Sequence, residues 1–146
     1  MKEIKLVIDN DVLDRYNKYY FGIHKRAKKL PIPHPYHESI NTWFILQRPA
    51  MNALKGRWKD FIKWFVNDVG CSDMKIEKCK MKFVAYYSTN LRHDTDNSCP
   101  KFILDGLVEG GLVIDDDMNH ITSLTLECGV DKSNPRTEIY VTIFDE

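Results

Sequence analysis

Apolar and polar positions alternate along Lys2–Ile8, the period of a short strand, and Asp9-Asn10-Asp11 then offers capping side chains for a helix over residues 11–29. That helix carries Tyr16, Tyr19, Tyr20, Phe21 and Ile23 and closes on the basic run Lys25-Arg26-Ala27-Lys28-Lys29. Cations there suit a helix C-terminus electrostatically, and the same side chains are candidates for phosphate contact. Prolines at 31, 33 and 35 forbid a helix, so Pro31–His37 reads as an extended connector leading to a strand at Thr42–Leu46. From Ala50 to Val69 the period changes: Leu54, Trp58, Phe61, Ile62 and Phe65 recur three and four apart, the buried stripe of a second helix. Their place on one stripe makes Trp58, Phe61 and Phe65 core residues rather than base-stacking ones, with Lys55, Arg57, Lys59 and Lys63 on the remaining surface.

β-branched and aromatic residues over Lys80–Ser88 predict a strand that runs into the polar stretch Arg92-His93-Asp94-Thr95-Asp96-Asn97. A third helix follows from Pro100 to Glu109, with Ser98 or Cys99 as its cap, Pro100 in its first turn and Gly110-Gly111 ending it. Leu112-Val113-Ile114 leads to Asp115-Asp116-Asp117, and strands at His120–Cys128 and Thr137–Phe144 close the pattern. Strand, crossover helix, strand and a further strand imply a single α+β domain over residues 1–146, a mixed β-sheet with helices packed on it, in which residues 1–40 are a candidate N-terminal elaboration. The order of the strands does not follow from the pattern.

With 146 residues, 43% of them hydrophobic, the chain is long enough for one core and short for two. It has no run of apolar residues long enough to span a bilayer, which leads us to expect a soluble, cytoplasmic protein. Cys71, Cys79, Cys99 and Cys128 are irregularly spaced and suggest neither a disulfide framework nor structural zinc. The formal net charge of zero hides an asymmetry. Residues 1–90 hold 17 Lys and Arg against 9 Asp and Glu, a balance of +8, and residues 91–146 hold 4 against 12, a balance of −8. A basic part can contact phosphates, and an acidic part can hold divalent cations that face them.

The acidic part has a definite arrangement. Asp94 and Asp96 are two apart at the end of a predicted strand, and an extended backbone there would turn both carboxylates to one side. Two adjacent carboxylates need a compensating charge, and a hard divalent cation with oxygen ligands, Mg²⁺ or Mn²⁺, supplies it where phosphate is the substrate. The local alternatives are an Asx turn capping the next helix at Asp94–Asn97 and a solvated turn at Asp115–Asp117.

The run Asp94-Thr95-Asp96-Asn97, Lys101, Leu104-Asp105-Gly106-Leu107, Gly111 and Ile114-Asp115-Asp116 resembles the signature of the RusA family of Holliday junction resolvases: Asp-x-Asp-Asn, a helical Lys, an Asp-Ala-Leu-like turn of helix and an Asp-Asp pair before a strand. Pro135-Arg136-Thr137-Glu138-Ile139 is similar to that family's ending. The resemblance covers residues 80–146, with the interval from the Asp-Asn to the Lys one residue longer here.

The resemblance implies a RusA-like fold and a homodimer that cuts branched DNA with Mg²⁺ or Mn²⁺, in recombination, repair or phage DNA processing in a bacterial or phage-infected cytoplasm. It implies Asp94, Asp96 and Asp116 as metal ligands and Lys101 as a cation near the scissile phosphate; Asp115 and Asp117 compete with Asp116. His93 is a candidate proton carrier or a ring stacked at the strand end. For gripping DNA arms the candidates are Lys25, Arg26, Lys28 and Lys29 together with Lys55, Arg57, Lys59 and Lys63. A helix of about ten residues spans roughly 15 Å, so either the chain beyond it returns Asp116 towards Asp94 or a second subunit supplies it. Two other functions are compatible with these residues: a non-catalytic junction-binding module, and a nuclease acting on flaps, duplex or RNA.

Overall fold

The computed structural model describes residues 1–91 and 93–144. Its elements are β1 (Lys2–Asp9), α1 (Asn10–Ile23), α2 (Ile40–Trp43), α3 (Arg48–Asp68), β2 (Cys79–Tyr87), α4 (Lys101–Glu109), β3 (Ile121–Val130) and β4 (Arg136–Ile143), with a 3₁₀ turn at Thr95–Ser98. The strands form one mixed sheet in the order β1-β4-β2-β3. β4 runs antiparallel to both β1 and β2, while β2 and β3 are parallel and joined through α4. The architecture is α+β in a single domain, as the element pattern implied.

The alternation along each strand decides which face is buried. Leu6, Ile139, Phe83 and Leu126 form one cross-strand row, and Ile4, Val141, Met81 and Leu124 the next. Against these rows pack Val12, Leu13 and Tyr16 of α1, the stripe Leu54, Trp58, Phe61, Ile62, Phe65 and Val66 of α3, and Phe102, Ile103, Leu104 and Leu107 of α4. Each large apolar side chain fully withdrawn from water contributes about 1.5–3 kcal/mol, so the α3 stripe is the largest single contribution to the core. The opposite face is polar: Lys5, Tyr140, Lys82 and Thr125 stand in one row. Glu138 is buried even on this face, receiving Arg136 Nε at 2.8 Å and the Tyr140 hydroxyl at 2.7 Å, with Lys5 Nζ at 3.5 Å.

Residues 1–40 are built into this body. β1 pairs along its whole length with β4, the Thr137 hydroxyl donates to the Pro35 carbonyl at 2.7 Å, and Ile32 is buried. Asp9 caps α1 by accepting the Val12 N–H at 3.0 Å.

Three local expectations are corrected. First, α1 stops at Ile23 rather than at residue 29: His24 leaves the helical conformation and stacks on Tyr20 at 4.2 Å, and Lys25–Lys29 lie beyond the helix. None of those four cations has an acidic residue three or four positions before it, so continuing the helix would crowd like charges without relief. The helix-dipole explanation of the run therefore does not apply. Second, Thr42–Leu46 is not a strand. The Ser39 carbonyl accepts the Thr42 and Trp43 N–H groups, closing one helical turn, and the Trp43 ring packs on Phe102 at 5.1 Å. That packing outweighs the strand preference of the segment, a tertiary override of local propensity.

Third, neither Ser98 nor Cys99 caps α4. Pro100 is the N-cap residue and makes no side-chain hydrogen bond. The capping acceptor comes from far away in sequence: His37 Nε2 accepts the Phe102 N–H at 3.0 Å, while its Nδ1–H donates to the Glu38 carbonyl at 2.7 Å. Burial pushes the His37 pKa down to about 4, which keeps the ring neutral and Nε2 free to accept.

Candidate functional site

The site is built around the β2–α4–β3 crossover. β2 ends at Tyr87, and the His93 ring lies flat on the Tyr87 ring, with centroids 3.7 Å apart and planes 7° apart. Of the two roles read for His93, the structure displays the stacked one. This contact brings the acidic stretch back to the C-terminal end of β2, where Ser39, Asn41, Tyr87, His93, Asp94 and Asn97 line a pocket of about 190 Å³. Arg92, at the start of that polar stretch, lies outside the described residues.

Asp94 retains an extended backbone (φ −85°, ψ 130°) as the N-cap of the 3₁₀ turn, and its carbonyl accepts the Asn97 N–H at 3.0 Å. Its side chain makes no capping hydrogen bond, so the turn is held by backbone and by the Ser98 hydroxyl, which donates to the Thr95 carbonyl at 2.6 Å. Asp96 sits inside the turn and is exposed. The extended-strand argument for both carboxylates sharing one side thus holds only as far as Asp94, because three residues per turn separate the directions of positions two apart.

The three members of the second acidic stretch differ in their hydrogen bonds. Asp115 accepts the Asp116 N–H at 2.8 Å. Asp117 accepts the Asn119 and His120 N–H groups at 3.0 and 3.2 Å and pairs with His120 Nδ1 at 2.6 Å, a contact that holds its carboxyl below the ordinary pKa. Both are occupied in shaping the turn before β3. Asp116 is half-buried and makes no side-chain hydrogen bond among the described residues.

Lys101 is the first residue of α4 and donates from Nζ to Asp105 Oδ1 at 3.1 Å, one turn along. Its pKa is raised first by that hydrogen bond and, to a smaller extent, by the charges of Asp105 and Asp116. Lys101 thus lies within electrostatic reach of Asp116. α4 starts directly after Pro100.

Asp105 had no role in the sequence reading, yet it is the hub of this helix. Besides Lys101 it has Lys55 Nζ of α3 at 4.0 Å from Oδ2. The spacing of four between Lys101 and Asp105 was the available signal. Lys59 similarly reaches Glu109 at 2.9 Å, so two of the four α3 cations expected to grip DNA serve the α3–α4 contact. Lys25, Arg26, Lys28, Lys29, Arg57 and Lys63 are exposed.

The structure does not gather the three expected ligands in one chain. Asp94 belongs to the C-terminal end of β2, whereas Asp117, beside Asp116, bonds through its carbonyl to Ile121, whose partner Cys79 is at the N-terminal end of β2. Among the described residues no three His, Cys, Asp or Glu side chains are grouped as a metal ion would need. The donors are of the type that suits Mg²⁺, but one protomer alone does not offer a complete set. No helix among the described residues is long and apolar enough to cross a membrane. No family model matches this chain, and no curated protein matches it.

Proposed function

We propose that this protein is a metal-dependent endonuclease that hydrolyses phosphodiesters in branched DNA such as Holliday junctions, acting as a homodimer with Mg²⁺ or Mn²⁺. The observation that carries the reading is the position of Asp116. Its carboxylate alone in the triplet accepts no hydrogen bond among the described residues, and its charge acts on Lys101, the helical cation that follows Asp94 and Asp96. A functional carboxylate is expected to be spared from local hydrogen bonds and coupled to a nearby cation in this way, and the RusA-like motif names Asp116 and Lys101.

Because one protomer does not gather the acids, the reading requires Asp116 to come from a second copy, with Asp94 and Asp96 as its counterparts. A two-fold dimer of that kind suits a four-way junction, in which two strands of like polarity are cut symmetrically. A hard cation so held polarises a phosphodiester and activates a bound water. Lys101 supplies positive charge beside the phosphate, and the exposed cations of Lys25–Lys29, Arg57 and Lys63 hold the DNA arms.

The ungrouped carboxylates favour one second reading, a junction-binding module without catalysis. Synthetic four-way junction, flap, duplex and RNA substrates compared in one Mg²⁺ assay separate the two. The expected result is nicking of the junction that disappears in Asp94→Asn while junction binding remains. Salt-sensitive binding with no cleavage under Mg²⁺ or Mn²⁺ selects the second reading, and preferential cutting of flaps, duplex or RNA moves the activity to another substrate.

A further inference from the structure

Away from the carboxylates, α1 and α3 enclose a groove of about 310 Å³ lined by Tyr19, Tyr20, His24, Lys63, Trp64 and Asn67 among others. Its walls are aromatic faces. Tyr19, 44% exposed, and the half-buried Trp64 have ring centroids 6.3 Å apart and planes only 17° apart, and His24 stacks on Tyr20. Tyr16 and Phe61, which flank this cluster from the inside, are buried and belong to the core; Tyr19 and His24 are the exposed members, and Trp64 is half-buried with the Arg15 guanidinium over its ring at 5.7 Å.

Charge around the groove has one predominant sign. Between Asp14 and Glu38 the chain has six Lys and Arg and no acidic residue. His24 at the groove passes directly into Lys25–Lys29 through a turn in which the Ala27 N–H bonds to the His24 carbonyl at 3.1 Å. Asp60 is the one acid among the described residues lining the groove, one turn before Lys63 on α3. Exposed aromatic faces beside unpaired cations match a polymer that has both flat rings and phosphates. In a duplex the ring faces are stacked on one another, so the match is to unpaired nucleotides.

We propose that this groove is a binding site for single-stranded DNA, with Tyr19 stacking on an unpaired base and Lys63, Lys25, Arg26, Lys28 and Lys29 taking the backbone. The site shares its class of partner with the reading above but none of its carboxylates, and it needs no metal.

The test is a titration of the full chain with fluorescein-labelled oligo(dT) in EDTA, read by anisotropy over a range of salt, with tryptophan quenching as a second signal. Tyr19→Ala should weaken binding by roughly 5- to 150-fold, the range for loss of one stacked base, and Tyr19→Phe should keep it. Lys28→Glu/Lys29→Glu should flatten the salt dependence. Tyr19 is exposed enough for its removal to leave the fold intact, which circular dichroism checks. Equal binding by Tyr19→Ala and wild type, no binding of oligo(dT), or tighter binding of duplex or oligo(U) than of oligo(dT) each overturns the proposal. Since EDTA removes any cleavage, the outcome is independent of whether the protein cuts junctions.

Discussion

His37 and Phe102, 65 positions apart, are joined by a hydrogen bond from the Phe102 N–H to the imidazole Nε2 at 3.0 Å. An α-helix begins with N–H groups that have no partner in the helix, and serine, threonine or aspartate usually receives one of them. Here a buried ring does so, between the aromatic faces of Trp58 and Phe102. The arrangement works only while Nε2 is unprotonated.

Acid should therefore weaken the fold through His37. Its pKa in the folded protein, about 4, lies below the unfolded value near 6.5, so between these limits the unfolded chain binds the proton and the folded one does not. Stability from this residue is complete above pH 6.5 and declines by about 3 kcal/mol as pH falls to 4. Chemical denaturation across that interval should show the decline in wild type and a flatter profile in His37→Gln. His37→Ala should cost about 1–3 kcal/mol at neutral pH by leaving the Phe102 N–H buried without a partner.

Gly106 should tolerate no side chain. A Cβ at this position would stand 2.5 Å from Ile62 Cβ, so α3 and α4 approach more closely than an alanine permits. Gly106→Ala should lower stability by about 1–3 kcal/mol, and Ile62→Ala in the same chain should recover part of the loss. Urea unfolding of the two single variants and the double variant measures the coupling.

Glu38 should matter for stability through Trp58. The indole Nε1–H donates to Glu38 Oε2 at 2.6 Å, tying the connector before α2 to the centre of α3. Glu38→Ala should cost about 1.5–3 kcal/mol and Glu38→Gln much less, because an amide oxygen still accepts. Thermal melts of both variants decide it.

Subunit complementation should reveal where Asp116 acts. If it completes the site of a second copy, Asp94→Asn and Asp116→Asn are each inactive, but mixing them restores junction nicking, since a mixed dimer has one intact site. Mixing that restores nothing, from a pair shown by native mass spectrometry to exchange subunits, removes the shared-site arrangement.

What could be read along the chain depended on how local its cause was. The α3 stripe was legible because Leu54, Trp58, Phe61, Ile62 and Phe65 obey one period within one element, and all five are buried. Thr42–Leu46 misled because its residues favour a strand in isolation, while the contact that decides its shape is with Phe102, some sixty positions later. The same distance hid the His37 cap behind the nearer Ser98 and Cys99. At the carboxylates the motif pointed to Asp94, Asp96 and Asp116, but whether they converge depends on the parallel register of β2 and β3, which no spacing reveals. Tyr19 stood only among the aromatic residues of the first helix, and Trp64 falls outside the buried stripe of α3, so neither signalled the groove.

The position of β4 sets a condition on how this protein is made. It is the latest described element in the chain and yet lies inside the sheet, between β1 and β2. During synthesis the first strand therefore leaves the ribosome without its neighbour and stays unpaired until β4 has followed. Assembly is correspondingly all-or-none, with the closing step delayed by the longest loop closure in the molecule.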